Sequence, residues 1–522
     1  MLSGPPLKEA FQIEDMLQAG LATKADDAAL LTLVHRHSWR KINEASTCLA
    51  SHYLSLGLKP GDRVASLMPN CPELIIHYLA CLKANLVMTP LNYRYQAPEM
   101  DHALEVSQAV LLVAHVERKD DVAQTQLGPR LSKGVIYSQS NGSGELNLAS
   151  MLQRKAKDVP FPQAKGSDPV FIFFTSGSTG KPKGVTHSRE TFGWMLASGI
   201  KGLEITSEDI LLAGSSISHV GGFMVSFLGM AAGASVVLPR TFDGEELLPL
   251  LRDGRPTILW MLPAALIALV RDHGAKKEDF TSLRLCFSGG DKISQELEKE
   301  FTDLTGFNLD ECYGMTEIGF TTISPPSGPY KLGSAGVLYP GFSMSIRDET
   351  GKDLGLHQQG RLWIQSKTNM IGYWDNPQAT QETIQKDWLD TGDIMAADED
   401  GYLWFHGRKK QIIIHDGSNI CPQEVEEAIM EHPAVEYAGV IGIHDLVHGE
   451  NVRAYVSLKP NAERPTSQEL IQFARKRVGY KAPEEIVFLT EMPINAVGKV
   501  DRATLKVRAE VASVRKAEKS RP

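Results

Sequence analysis

Residues 171–185 read FIFFTSGSTGKPKGV, an aromatic run with strand character that empties into glycines, hydroxyl residues and two lysines. Gly177, Gly180 and Gly184 allow positive φ and close approach of a ligand to the backbone. Thr175, Ser176, Ser178 and Thr179 offer hydroxyl and amide donors, and Lys181 and Lys183 supply countercharge, so the loop can wrap a polyphosphate. A P-loop would need Ser or Thr after its lysine and a helix starting there, but Pro182 follows Lys181. The Pro182-Lys183-Gly184 triplet argues equally against the immediate helix of a dinucleotide fingerprint. On composition alone an exposed Gly/Ser turn stays open as the alternative.

Outward from this loop the chain is built of short apolar runs alternating with amphipathic helical patterns, the signal of layered βα units. Strands are expected at Arg63–Met68, Ala109–Val113, Ile210–Ala213, Thr257–Trp260 and Leu283–Phe287, giving a buried, largely parallel sheet. After the first of these, a helix is expected with Asn70 as its cap, Pro72 and Glu73 in its first turn, and Leu74, Ile75, Tyr78, Leu79 and Leu82 on its buried face. From about 333 to 405 the texture changes to short alternating strands separated by Gly, Pro and Asp turns, as in a small antiparallel sheet or barrel. Past Gly407-Arg408 a basic run precedes a strand at Gln411–His415 and a helix opening near Pro422.

A chain of 522 residues exceeds the ~250–300 at which single cores stop growing, so two or three domains are expected. A net charge of -9, with basic residues scattered apart from Arg408–Lys410 and the C-terminal VRKAEKSR, excludes a nucleic-acid groove. Cys48, Cys71, Cys81, Cys286, Cys312 and Cys421 form no CxxC pair and no zinc spacing; they read as reduced thiols of a cytoplasmic protein. The N-terminus lacks the pattern of a secretory signal, and the most apolar stretches fall short of the ~20 residues of a transmembrane segment.

The string TSGSTGKPKGV resembles the signature of the adenylate-forming enzymes, the superfamily of acyl-CoA and aryl-CoA synthetases, luciferases and the adenylation domains of peptide synthetases. The resemblance runs from GDRVASLMPNCPELIIHYLACLKAN (61–85) to VGKVDRATLK (497–506). It implies an α/β fold: a large N-terminal domain of layered αβ sheets with a small β-barrel-like part (1–408), then a small mobile α+β C-terminal lid (409–522).

The resemblance also distributes roles. The loop from Thr175 through Ser176, Gly177, Ser178, Thr179, Gly180 and Lys181 to Gly184 holds the triphosphate, steadied by Lys183. In CYGMTE (312–317), Tyr313 stacks on adenine beside Gly314, Thr316 meets the AMP phosphate, and Glu317, with Thr175, holds Mg2+, an ion that prefers hard oxygen ligands. Ser288, Gly289 and Gly290 pass beside adenine and the acyl group, Asp393 and Arg408 bond the ribose, and Lys499 comes from the lid to offset charge at the α-phosphate. Lys410 is the hinge, followed by Gln411 where many relatives carry an acid, and Gly417 lines the pantetheine tunnel of coenzyme A.

His219 is assigned to the carboxylate pocket, with Val220, Gly221, Gly222, Phe223 and Met224 as its apolar lining. No aspartate stands between His219 and Met230 to pair with a substrate ammonium, which favours a neutral fatty or aromatic acid. The implied activity is ATP-dependent acyl-CoA synthesis by way of acyl-AMP, with a carboxylic acid, ATP and CoA as small-molecule partners; a homodimer is compatible with it. Delivery of the acyl group to a separate carrier protein, or a catalytically silent nucleotide-binding protein, are the alternatives.

Overall fold

The computed structural model describes residues 1–139, 147–153, 160–175, 182–290, 293, 295–408, 411–415, 418–445, 449–495 and 498–509. By internal contacts the chain divides into two compact units, Met1–Met344 with Ile364–Asp390 and Asp400–Tyr402, and Ser345–Trp363 with Thr391–Glu399 and Leu403–Pro522. The boundary expected at 408/409 concerns which segment moves.

The first unit holds two sheets where the sequence pattern suggested one. In the seven-stranded sheet the order is Gly372–Tyr373, Lys183–Ser188, Pro169–Thr175, Val87–Pro90, Arg63–Leu67, Leu111–His115 and Val135–Ser138. It is parallel from Pro169–Thr175 onward and antiparallel at the Lys183–Ser188 end. The nine-stranded sheet runs Val337–Leu338, Gly319–Ile323, Asp310–Met315, Leu285–Gly289, Ile258–Met261, Ile210–Gly214, Ser235–Val237, Ala28–Leu31 and Arg36–Ser38. All five expected strands are present, shifted by no more than two residues. Their apolar runs look alike in sequence, and nothing in them encodes which sheet each joins.

The helix Val220–Ala232 is apolar on every side and therefore buried. Phe223, fully buried, stacks on Phe227 at 4.4 Å and lies 5.1–5.5 Å from the rings of Tyr78, Phe171, Phe173 and Phe192. These rings come from the seven-stranded sheet and from the helices Pro72–Lys83 and Arg189–Gly202, so one aromatic core joins the layers.

Pro72–Lys83 forms the expected helix, and its expected buried face is buried, but its N-cap is Cys71 rather than Asn70, with no side-chain cap bond. The Asn70 amide is used elsewhere. Its Nδ2 donates to the carbonyls of Ser215 and Pro239, each at 3.0 Å, and its Oδ1 accepts from Ile217 N at 2.8 Å. This buried side chain from one sheet therefore pins both flanks of the Val220–Ala232 crossover of the other.

Strands Phe342–Arg347, Gly360–Ser366, Trp388–Ala397 and Leu403–Arg408 belong to a six-stranded sheet, in the region expected to carry short strands, with the last two antiparallel. In the second unit, strands Ser418–Ile420, Ile413–His415, Gly449–Leu458, Val435–Asp445 and Glu485–Phe488 make a five-stranded sheet. The helices Pro422–Met430 and Ser467–Val478 cover it through Val425, Ile429, Leu470 and Ala474. The second of these helices starts in a capping box of Thr466 and Glu469. Among the described residues no helix is long and apolar enough to cross a membrane. None of the six cysteines, all among the described residues, takes part in a disulfide.

Candidate active site

Antiparallel pairing places Thr175, the last residue of its strand, opposite Lys183, the first of the next. Residues 176–181, carrying Ser176 to Lys181 of the expected phosphate loop, lie outside the described residues, as do Lys410 and Gly417. The strand pair fixes both ends of the loop. A Cβ at Gly184 would lie 2.8 Å from Ile172 Cγ2, so the glycine keeps the strands close.

Lys183 Nζ lies 3.9 Å from the centroid of the Tyr373 ring. The Tyr373 hydroxyl donates to Glu317 Oε1 at 2.8 Å. Glu317 is buried, and its main-chain carbonyl accepts from Met370 N at 2.8 Å. Burial, and then the charge of Glu317, which accepts its hydrogen bond, push the Tyr373 phenol well above its usual range, so it remains a donor. Strand pairing of Gly372–Tyr373 with Val185 and Thr186 holds this ring between the lysine and the carboxylate. The lysine expected at the triphosphate and the carboxylate expected at the metal are thus tied through one tyrosine.

Thr316 is held from the same strand. His187 is fully buried; its Nε2 donates to the Thr316 carbonyl at 3.0 Å, and its Nδ1 lies 3.1 Å from Thr191 Oγ1. Burial lowers its pKa to about 4, so the ring is neutral.

The strand Asp310–Met315 carries Tyr313 and Gly314 beside Leu285–Gly289, with Gly289 opposite Cys312. A register shift at Tyr313/Gly314 re-aims this edge, and a Cβ on Gly314 would stand 2.4 Å from the Gly319 carbonyl. At Gly289 a Cβ would stand 2.4 Å from the Cys312 carbonyl. Gly290 follows at φ +85, where L side chains are strained. Ser288 Oγ is buried and has no hydrogen-bond partner among the described residues, which suits a wall that meets a polar ligand.

His219 is the N-cap of Val220–Ala232 but makes no capping bond with its side chain. Of the apolar lining expected after it, Phe223 and Met224 are interior core, at 0% and 1% exposure. Gly221 instead faces the Trp260 indole.

In the second unit, Asp393 and Arg408 are cross-strand partners, and Arg408 Nε donates to Asp393 Oδ1 at 3.0 Å. The carboxylate is buried and the guanidinium nearly half exposed. Lys499 closes a tight loop: Asn495 N donates to its carbonyl at 2.7 Å, its own N donates to Asn495 Oδ1 at 3.0 Å, and Gly498 between them has φ +83. Arg502, just beyond, pairs with buried Glu426, which also accepts Val440 N at 2.6 Å; the loop is thereby anchored to the helix Pro422–Met430 and the sheet.

Glu317 and Thr175 offer one carboxylate and one hydroxyl, and no group of three or more His, Cys, Asp or Glu suited to a metal occurs among the described residues. That sparse oxygen set fits Mg2+, which keeps most of its shell as water and substrate phosphate and needs only one or two protein carboxylates.

The profile of the family described as AMP-binding enzyme matches residues 17–374, and that of the AMP-binding enzyme C-terminal domain matches 424–499. The chain belongs to this family of adenylate-forming enzymes. Similar to this AMP-binding enzyme is a feruloyl-CoA synthase of Amycolatopsis sp, 31% identical over 467 residues, covering 88% of this chain and 91% of that one. The fatty acid–[acyl-carrier-protein] ligase ScoC of Streptomyces coeruleorubidus is 30% identical over 489 residues, covering 92% and 93%. Among solved structures, the anthranilate CoA ligase AuaEII in complex with anthranoyl-AMP superposes with a TM-score of 0.87 at 25% identity, covering 97% of this chain and 99% of that one.

In the sequence of this AMP-binding enzyme Tyr373 and His187 carry no mark of these contacts, and Glu426 is legible only as one of the acids, with Glu424 and Glu427, of the helix opening near Pro422. Tyr373 lies 56 positions from Glu317 and in no motif with it. His187 sits two residues past the quoted loop, and its place on the strand leading out of the loop was the available signal.

Proposed function

We propose that this adenylate-forming ligase is an ATP-dependent acyl-CoA synthetase. The acid's carboxylate oxygen attacks the α-phosphorus of ATP, the bond to the β-phosphate oxygen breaks, and pyrophosphate leaves. The CoA sulfur then attacks the acyl carbon, its proton is lost, and AMP departs with the bonding pair. Support comes above all from the Lys183–Tyr373–Glu317 relay, which couples a cation suited to the leaving phosphates to a carboxylate suited to their counter-ion.

In this reading Thr316 and Tyr313 hold AMP, Asp393 and Arg408 hold the ribose, and Lys499 offsets charge growing at the α-phosphate. Mg2+, held by Glu317 and Thr175, would supply charge neutralisation of the phosphates. His219 borders the carboxylate, and CoA itself brings the nucleophile. The domain boundary lies at 408/409 with Lys410 as the hinge, so that 409–522 is the moving part and Gly417 serves the thiol step.

Similarity to ScoC favours a second reading, in which a carrier-protein thiol replaces CoA. Pyrophosphate release screened over short, medium, long and aromatic acids, with and without CoA, separates the two. Release without any acid dependence defeats both; acid-dependent release with no thioester to CoA leaves the carrier.

A further inference from the structure

We propose that Trp260 closes the acyl end of the site and restricts it to compact, ring-sized carboxylic acids; the inference rests on the ligase reading above. Along the strand Ile258–Met261, Leu259 and Met261 join the apolar cluster on one face of the nine-stranded sheet. Alternation sends Trp260 to the opposite face, where its ring lies 6.5 Å from Phe287 and 6.0 Å from Phe320, themselves 5.9 Å apart. Three aromatic rings thus make one rigid wall.

The helix that begins after His219 lays Gly221 directly on the indole. A Cβ there would stand 2.3 Å from Trp260 Cη2 and 2.6 Å from Cζ2, closer than real Cβ atoms come, so this tryptophan and this glycine are a volume-matched pair. The bulk that would otherwise belong to the helix has been moved to the strand. Trp260 is only 3% exposed, with Gly221 of the helix against its ring, which leaves the indole little room to move. Beside it Gly289 is packed on the Cys312 carbonyl, so the neighbouring strand cannot yield either.

An acid entering between His219 and the Ser288–Gly290 segment therefore ends against aromatic faces. A single aryl ring fits such a wall by offset or edge contacts. A polymethylene chain has no direction in which to continue. The glycine at 221 is then a consequence of the tryptophan, and the two together set substrate length.

The test measures pyrophosphate release by the full chain with benzoate, octanoate and dodecanoate, on wild type, Trp260→Ala and Trp260→Phe. Thermal shifts with each acid plus AMP are read in parallel. Wild type should prefer benzoate to dodecanoate by at least about tenfold in kcat/KM, the scale on which apolar pockets discriminate size. Trp260→Ala should raise dodecanoate use by at least about tenfold while lowering that of benzoate. Trp260→Phe, which keeps a ring in the core, should gain octanoate and carries the test if the alanine variant does not fold.

Equal use of dodecanoate and benzoate by wild type, or an unchanged preference in active Trp260 variants, overturns the assignment while leaving the ligase reading intact. If no acid releases pyrophosphate but benzoate alone raises the melting temperature, and Trp260→Ala transfers that effect to dodecanoate, the ligase reading falls and the wall stands. Absence of both release and shift overturns both.

Discussion

His187 Nε2 donates to the carbonyl oxygen of Thr316 across 3.0 Å, joining the strand that leaves the phosphate loop to the residue expected at the AMP phosphate. Because a carbonyl can only accept, the proton sits on Nε2, and burial requires the ring to stay neutral, with the Nδ1 lone pair facing Thr191 Oγ1.

That requirement predicts a pH dependence of stability. The folded pKa, about 4, lies below the ordinary 6.5, so the unfolded chain binds more protons between these values. The stabilisation is complete above 6.5 and is lost as pH falls toward 4, by up to about 3 kcal/mol. Asp310, pushed up to about 7 by burial and then by the Glu298 charge, runs the other way. The clean measurement is therefore a difference: urea melts of wild type and His187→Gln at pH 7.5 and 5, where the stability gap should shrink at the lower pH. A pH-independent gap would remove the neutral-histidine role.

Tyr373→Phe should leave the ring under Lys183 but remove one donor to Glu317. Loss of one buried hydrogen bond costs about 0.5–1.5 kcal/mol of stability, or somewhat more because the acceptor is charged. The Mg2+ concentration for half-maximal pyrophosphate release should rise. Tyr373→Leu, which also removes the cation–π face, should raise KM for ATP further. Identical Mg2+ titrations for wild type and the phenylalanine variant would separate Tyr373 from the site's function.

Asp393→Asn should raise KM for ATP at least about tenfold, the equivalent of about 1.4 kcal/mol, through loss of a ribose acceptor and of the hold on Arg408. Since the guanidinium is 45% exposed, solvent screens the pair and the stability loss should stay near 1 kcal/mol, well short of that for a fully buried pair. Steady-state kinetics and urea melts on the same variant test the two parts independently.

Lys499→Ala should slow adenylation by about 10²–10³, the loss seen on removing one well-placed electrostatic donor. Thioester formation from supplied acyl-AMP should change far less. Equal losses in the two half-reactions would contradict the assigned role. Glu426→Gln, loosening the Arg502 anchor of the loop, should show the same bias in weaker form.

Much of the architecture was legible because local pattern and burial agree. The helix Pro72–Lys83 repeats apolar residues at helical spacing, and Arg63–Leu67 is a short run between turns. Where the reading failed, a distant partner had outbid a local one. Asn70 is a good cap by type, yet its amide serves Ser215, Ile217 and Pro239. Phe223 and Gly221 sit two positions apart on a helix apolar all round, so periodicity could not tell the core side from the ligand side. The motif residues Glu317, Thr316 and Lys183 could be named from their neighbours in sequence. Their linkers Tyr373 and His187 could not, because strand pairing at Lys183–Ser188, and not spacing along the chain, brings them in.

The bonds of Asn70 bear on biosynthesis. The ribosome makes this side chain about 140–170 residues before the carbonyls it will hold, as the separations of 145 and 169 show. A polar group that must end up buried waits in water until the crossover around Val220–Ala232 has emerged, so the two sheets cannot mature one after the other as independent pieces. Ribosome-stalled chains ending before Pro239 should remain protease-sensitive throughout the first 140 residues, and those ending well beyond it should become resistant as one unit.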